Sequence, residues 1–102
     1  MYCIIITTTN SKKNAKEIAT LLLNKKLAAC IQIEKIKSYY LWEEKINKDK
    51  EYRLVIKTKQ KYFKKVKKAI KSIHPYSIVQ IIALNIDKAN KEYLNWINSV
   101  VK

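Results

Sequence analysis

Glycine is absent from this 102-residue sequence, and proline, arginine and histidine each occur once. Collagen-like chains and Gly- or Pro-rich disordered segments are therefore excluded. The lack of glycine also excludes glycine-dependent phosphate loops, the dinucleotide-binding fingerprint and the nucleophile elbow of hydrolases. With one histidine and two cysteines, few routes to acid–base or nucleophilic catalysis remain. We expect a protein that is not an enzyme.

Long apolar runs and targeting signals are missing as well. No run reaches the roughly 18–20 apolar residues that span a bilayer. Residues 1–6 lack the basic region and small-residue cleavage site of a signal peptide. Cys3 and Cys30 have neither the spacing of a zinc site nor the density of a disulfide framework. These features predict a soluble protein in the reducing cytoplasm, without a membrane partner.

Lysine is the residue present in excess. Lys and Arg total 22 against 8 Asp and Glu, which gives a formal net charge of +14, and Arg53 is the single arginine. This charge suggests an anionic partner, although compositional drift explains abundant Lys beside abundant Ile and Asn equally simply. Specific nucleic-acid binders rely on arginine for bidentate contacts. A nucleic-acid partner is therefore the less favoured interpretation.

The hydrophobic content of 48% is that of a folded chain, and the length suits a single domain over residues 1–102. Short β-branched runs predict strands at 2–9, 27–36, 51–58 and 78–86, and helical periodicity predicts helices at 12–25, 60–73 and 90–101. Asn10 or Ser11 is the expected N-cap of the first helix, and Asp87 or Asn90 that of the last. The strand at 78–86 is so apolar that we expect it to be buried on both faces.

A long hairpin is predicted between the first two helices. Residues 38–46 extend it, and the turn-forming residues Asn47–Lys50 are the expected loop. Without glycine, Asn47 or Asp49 would have to adopt any left-handed conformation that the loop needs. The acidic residues around this loop, Glu43, Glu44, Asp49 and Glu51, are interpreted as a solvated hairpin surface.

The order of elements predicts an α+β fold built on a βαββαβ unit, with an additional C-terminal helix. Helices on one face of a sheet leave the other face bare. Further copies of the same chain are the simplest cover for that face. We therefore expect an oligomer.

One group of aromatic and soft polar residues is a candidate site: Cys30, Tyr40, Trp42, His74 and Tyr76. Thiolate and imidazole are ligands that copper and zinc accept. On spacing alone, the favoured alternative makes Cys30 a small buried hydrophobe and His74 a hydrogen-bonding residue at a helix end. Both interpretations remain open at this point.

Five segments together resemble the CutA divalent-cation-tolerance family. They are Lys26–Ile31 (KLAACI), Ser38–Trp42 (SYYLW), Ile56–Thr58 (IKT), His74–Tyr76 (HPY) and Glu92–Ile97 (EYLNWI). The segments follow the family's order and spacing from about residue 4 to residue 98. Each segment alone is weakly specific, whereas five in order are specific.

The resemblance implies a ferredoxin-like fold assembled as a homotrimer, in which each hairpin reaches across to a neighbouring sheet. It implies a non-enzymatic role in tolerance to divalent metals, copper especially. The trimer's likeness to PII-type signalling proteins suggests regulation through the clefts between subunits. The residues that the resemblance carries to that cleft are Tyr40, Trp42, Lys57, Thr58 and Tyr76, with Cys30 and His74 as metal ligands. No cofactor is obligatory, and Cu²⁺ or another divalent cation is the expected ligand.

This chain departs from the family pattern at Gln80, where a carboxylate is usual. A neutral amide still forms hydrogen bonds, so Gln80 stays among the expected ligand-binding residues, but an amide binds a dication more weakly than a carboxylate does. The alternative function is a basic module that binds anionic ligands or nucleic acid through the helix face Lys61–Lys71.

Overall fold

A computed structural model, which describes residues 1–102, shows one four-stranded sheet and three α-helices. The strands are β1 (Tyr2–Thr9), β2 (Cys30–Trp42), β3 (Lys45–Lys59) and β4 (Ile81–Asn85), and the helices are α1 (Lys12–Asn24), α2 (Phe63–Ile73) and α3 (Lys91–Val100). The strand order is β2-β3-β1-β4, and every neighbouring pair is antiparallel. The predicted α+β class and the order of elements are confirmed.

The core lies between one face of the sheet and the helices α1 and α2. Side chains alternate along a strand, so Ile5 on β1 and Leu54 and Ile56 on β3 point to the same face and are completely buried. The apolar stripes of the helices meet them, with Ile18 and Ile70 also at zero exposure. Burial of each such side chain stabilises the fold by about 1.5–3 kcal/mol.

The opposite face of the sheet, which we call the open face, has no helix layer comparable to α1 and α2. Ile82 and Leu84 on β4 lie there beside Ile6 and Ile4 of β1, and they are 45% and 53% exposed. The prediction that 78–86 forms a strand buried on both faces is therefore wrong for the single chain. The strand is shorter, and β1 is its only neighbour in the sheet.

The hairpin turn differs from the prediction. β2 and β3 pair as far as Trp42 with Lys45, so the loop is Glu43–Glu44 and not Asn47–Lys50. Both glutamates adopt positive φ, 51° and 61°, as the two-residue hairpin turn that matches strand twist requires. Asn47 lies within β3, where its Nδ2 donates to the carbonyl oxygens of Trp42 and Lys45. Asn47 is a residue type common in turns, but here it is not part of the loop. Its side chain stabilises the turn through these two hydrogen bonds from a position in β3.

Glu43→Asn combined with Glu44→Gly is expected to raise the free energy of unfolding by about 1–2 kcal/mol, since a positive φ costs non-glycine residues about that much. Thermal or guanidinium unfolding at fixed protein concentration measures the change. Glu43→Gln with Glu44→Gln removes the same two charges without relieving the backbone, and should stay within about 0.5 kcal/mol of the wild type. An equal gain in both double variants would assign the effect to charge.

Helix ends follow local chemistry. Ser11 caps α1 by accepting a hydrogen bond from the Asn14 N–H at 3.0 Å, and Asn90 caps α3 by accepting from Glu92 N–H. α1 ends with Lys26 in the left-handed region, at φ 56°. The N–H groups of Lys26 and Leu27 donate to the carbonyls of Leu23 and Leu22, the pattern of a Schellman motif. Glycine usually occupies the Lys26 position in this motif.

Candidate functional site

A cleft of about 980 Å³ lies on the open face, between the hairpin and the segment that joins α2 to β4. We call it the open-face cleft. Of the residues predicted for a ligand site, Tyr40, Trp42, Tyr76 and Gln80 line it. Tyr40 and Trp42 come from the hairpin arm, whereas Tyr76 and Gln80 come from the joining segment. The fold thus brings together two groups that are more than 30 residues apart in sequence.

His74 fixes the start of the joining segment. Its Nε2 lies 2.7 Å from the carbonyl oxygen of Thr8, and its Nδ1 accepts a hydrogen bond from the Tyr76 N–H at 3.1 Å. A carbonyl oxygen can only accept, so Nε2 carries the proton and Nδ1 supplies the lone pair. The imidazole ring also meets the Tyr76 ring edge to face, with centroids 4.7 Å apart. His74 therefore positions Tyr76 over the cleft.

Tyr76 is paired with a buried carboxylate. Its hydroxyl donates to Glu51 Oε2 at 2.7 Å, and Glu51 is only 8% exposed. Burial, followed by the hydrogen bond and the negative charge of Glu51, raises the pKa of Tyr76 well above its usual range. The interpretation of Glu51 as part of a solvated hairpin surface is wrong, although Glu43 and Glu44 are indeed exposed.

Tyr40 and Asp49 form a second tyrosine–carboxylate pair in the cleft. The Tyr40 hydroxyl donates to Asp49 Oδ2, and this hydrogen bond is the main reason why the pKa of Tyr40 is raised. Sequence reasoning found the tyrosines and missed both carboxylates as site residues. Strand parity could have found them, because Asp49 and Glu51 lie on the face of β3 that β2 residues such as Tyr40 share.

Tyr76→Phe is expected to flatten the loss of stability at alkaline pH. The folded pKa of Tyr76 is raised above its ordinary value of 10.0, so the folded chain retains a proton that the unfolded chain releases. This contribution is complete below pH 10 and is lost as the pH rises through the folded pKa. Guanidinium unfolding from about pH 9 to about pH 11 gives the slope. Tyr39→Phe, which removes a hydroxyl without a hydrogen-bond partner in the chain, is the control, and equal slopes in wild type and Tyr76→Phe would contradict the assignment.

Gln80 and Arg53 are further polar residues in the lining of the cleft. The Thr8 hydroxyl donates to Gln80 Oε1 at 3.3 Å, so the amide is held towards β1. Arg53 donates from Nε and Nη2 to Glu34 Oε1 at 2.8 and 2.6 Å, and this is the one salt bridge in the chain. The single arginine is therefore already engaged by a carboxylate.

Four predicted site residues do not line this cleft: His74, which lies next to it, and Cys30, Lys57 and Thr58. Cys30 pairs in register with Lys57, whose Nζ donates to Gln32 Oε1 at 2.7 Å and lies 5.8 Å from the ring centroid of Tyr93. Burial first, and then the neighbouring Cys30 sulfur, raises the pKa of Tyr93. Thr58 is completely buried on the helix side of the sheet, where its hydroxyl donates to the Leu27 carbonyl at 2.6 Å. The predicted site residues thus fall into three places. His74 and the four lining residues belong to the open-face cleft, Cys30 and Lys57 lie together at another level of the sheet, and Thr58 lies in the core.

The sequence model of the CutA1 divalent ion tolerance protein matches residues 3–100. This chain belongs to the CutA1 family. It is 39% identical over 102 residues to a divalent-cation tolerance protein CutA of Archaeoglobus fulgidus, covering the whole of both chains. It is 34% identical over 94 residues to that of Pyrococcus horikoshii, covering 92% of each.

Solved structures of CutA proteins share the fold. The A. fulgidus protein superposes with a TM-score of 0.98 at 39% identity, and the Thermus thermophilus protein with 0.96 at 35% identity, each covering all of both chains. The resemblance inferred from the five segments is confirmed. The family is named for tolerance to divalent ions and not for a catalysed reaction.

The predicted cytoplasmic location is wrong by this comparison. The A. fulgidus CutA structure is described as that of a periplasmic divalent cation tolerance protein. Two free cysteines, which is what this chain contains, suit a reducing compartment, but a pair that is not cross-linked does not identify one. None of the three helices has the length and apolarity to cross a membrane.

The residues of one chain do not fit a Cys–His metal site. Cys30 lies at the level of Ile4 in the sheet, and His74 contacts Thr8. Four residues of strand separate these levels, which is about 13 Å. Both His74 ring nitrogens are engaged in hydrogen bonds, and no three His, Cys, Asp or Glu side chains lie close enough together to hold a metal ion.

Proposed function

We propose that this chain is a non-enzymatic CutA-family protein that works as a homotrimer in tolerance to divalent metal ions, copper especially. Its open-face cleft would become a ligand-binding cleft between subunits. The main support for a trimer comes from the outer end of the hairpin. β1 pairs with β3 only from Tyr52 to Lys59, so the outer parts of β2 and β3 form a two-stranded ribbon without a third strand.

Such a ribbon is marginally stable in water by itself. It also exposes large apolar side chains: Tyr39 is 66% exposed, Leu41 75% and Ile46 77%. Monomeric proteins seldom display this much apolar surface on a projecting arm. Docking of the ribbon on a neighbour's open face would bury both surfaces, and closure by three copies leaves no arm unpaired.

The site supports ligand binding and regulation better than catalysis. Both tyrosines of the open-face cleft are engaged by carboxylates, and the imidazole is engaged on both nitrogens. The two carboxylates of the cleft, Asp49 and Glu51, each accept a tyrosine hydroxyl, an arrangement that holds side chains in place around a ligand. A small ligand bound between subunits would change the contacts of two chains together, which suits a signalling role.

A direct contact with copper would depend on Cys30 more than on His74. Cys30 is a partly exposed residue with a free thiol, and thiolate is a soft ligand that Cu⁺ prefers. Because Cys30 and His74 lie apart in one chain, a site that used both would have to combine subunits. The proposal of metal tolerance does not require that site.

Light scattering and growth measurements test the proposal. In solution the protein should have three times the 12.1 kDa mass of the chain. Expression in a bacterial strain that lacks its own CutA protein should restore growth at a toxic Cu²⁺ concentration. A monomer in solution would overturn the assembly, and unchanged growth despite soluble expression would overturn the role in copper tolerance.

A further inference from the structure

A second cleft, remote from the open face, is lined by lysines. It has a volume of about 690 Å³ and lies between the C-terminal end of α1 and the exposed side of α2. We call it the lysine cleft. Lys25 and Lys26 line it from the end of α1, Lys65 and Lys68 from α2, and Lys102 from the chain end. No Asp or Glu is among its lining residues.

None of these lysine side chains forms a salt bridge within the chain. The salt bridge between Arg53 and Glu34 is the only one in the chain, and those two residues lie on the open face, on the other side of the sheet. Five ammonium groups around one concavity repel one another, and this repulsion disfavours the empty cleft. An anion bound among them would remove that cost.

The base of the lysine cleft is formed by buried, largely apolar side chains. Leu27, Tyr62 and Ala69 contribute to it, and each is at most 8% exposed. The Schellman motif at the end of α1 holds Lys26 in place, and the Lys102 N–H donates to the Lys26 carbonyl at 3.1 Å. A low-dielectric base beneath charges of one sign strengthens the field inside a cleft. The fixed backbone positions lower the cost of ordering the lysines around a ligand.

We propose that the lysine cleft binds a small polyphosphate, meaning three or more linked phosphate groups, either free or carried by a nucleoside. Several cations around one cleft match a ligand with several charges, and lysine binds phosphate as a point charge. The volume is that of a small-molecule site. A single-stranded nucleic acid would need exposed aromatic rings for stacking, whereas Tyr62 is only 7% exposed.

Polyphosphate binding here is a more specific form of the alternative function, in which the helix face Lys61–Lys71 binds anionic ligands or nucleic acid. It specifies one cleft and one class of ligand. It is independent of the copper role and of the trimer. The cleft lies on the side of the sheet that α1 and α2 cover, so the docking of other copies on the open face would leave it accessible.

Calorimetry with tripolyphosphate, ATP and inorganic phosphate tests the proposal. The test variant is Lys65→Gln with Lys68→Gln, and the control is Lys64→Gln with Lys67→Gln, which removes two charges from the same helix outside the cleft. We expect tripolyphosphate to bind the wild type and the control alike. Its Kd should rise about tenfold in the test variant, as the loss of two exposed charge contacts implies. Tighter binding of ATP than of tripolyphosphate would identify a nucleoside-bearing ligand, and equal or weaker binding a free polyphosphate.

Three results would overturn the proposal. An equal loss in the two double variants would show diffuse attraction to a basic surface. Equal affinity for inorganic phosphate and tripolyphosphate would remove the need for a multivalent ligand. Tighter binding of a single-stranded RNA oligonucleotide, weakened by the same two substitutions, would assign the surface to nucleic acid. Thermal unfolding of both variants establishes that neither has lost its fold.

Discussion

Asn14→Ala is expected to lower the free energy of unfolding by about 2–3 kcal/mol, the cost of leaving buried polar groups without partners. Asn14 is buried on α1 and joins three elements. Its Oδ1 accepts from the Thr9 hydroxyl at 2.6 Å, and its Nδ2 donates to the Ile73 carbonyl at 2.8 Å. The substitution removes both contacts and leaves the fully buried Thr9 hydroxyl without an acceptor.

The same substitution should also loosen the open-face cleft. The Ile73 carbonyl belongs to the last turn of α2, and His74 and Tyr76 follow it directly. Without Asn14, the segment that holds Tyr76 against Glu51 loses its anchor to α1. Guanidinium unfolding at fixed protein concentration measures the loss of stability, and hydrogen exchange at the Tyr76 amide measures the loosening.

Asn24→Ala is the control for Asn14→Ala. Asn24 is exposed at the end of α1 and makes no side-chain hydrogen bond, so we expect a change within about 0.5 kcal/mol. A comparable loss in both variants would show that the effect comes from α1 in general. In that case Asn14 would not be the residue that ties α1 to α2.

Leu84→Asp is expected to convert the proposed trimer into monomers at micromolar concentration. Leu84 is 53% exposed in the single chain and lies on the open face. In the proposed trimer, a neighbouring subunit covers this face. A carboxylate buried there without a partner would cost several kcal/mol at each of three interfaces. Light scattering measures the mass, and dilution from high concentration measures how far the equilibrium has moved.

Leu23→Asp is the matched control for Leu84→Asp. Leu23 is 43% exposed but lies on α1, in the layer on the other side of the sheet. The same change of leucine to aspartate should leave the mass of the assembly unaltered. Dissociation by Leu23→Asp alone would place the subunit interface on the helix layer, and dissociation by neither variant would remove the open face from the assembly.

The identity and order of the elements could be predicted because they depend on local pattern. The β-branched run from Tyr2 to Thr9 forms β1 within its predicted bounds, and Ser11 caps α1 as one of the two expected residues. The hairpin turn could not be placed in this way. Glu43 and Glu44 carry no turn signal, and their positive φ follows from the pairing of Trp42 with Lys45 in a twisted ribbon.

The candidate site was predictable only in part. Tyr40, Trp42, Tyr76 and Gln80 meet in the open-face cleft as a group, whereas Cys30 and Lys57 lie at another level of the sheet. Thr58 is adjacent to Lys57 in sequence but faces the core, because neighbouring residues of a strand point to opposite faces. To assign each of these residues to the cleft, to another level of the sheet or to the core, one must know the register of all four strands. A local sequence pattern does not give that register.

The sequence by itself determined the element types, the apolar stripes of the helices and the exclusion of glycine-dependent chemistry. It also determined that non-glycine residues would occupy every left-handed position, since it contains no glycine. Only the tertiary structure decided that these positions are Lys26, Glu43 and Glu44 and that Glu51 is a buried partner of Tyr76. It also decided that lysines just after α1 and lysines of α2 share a cleft. The physical reason is that helix and strand formation depends on neighbours a few residues away, whereas convergence of side chains depends on strand register and packing between distant segments.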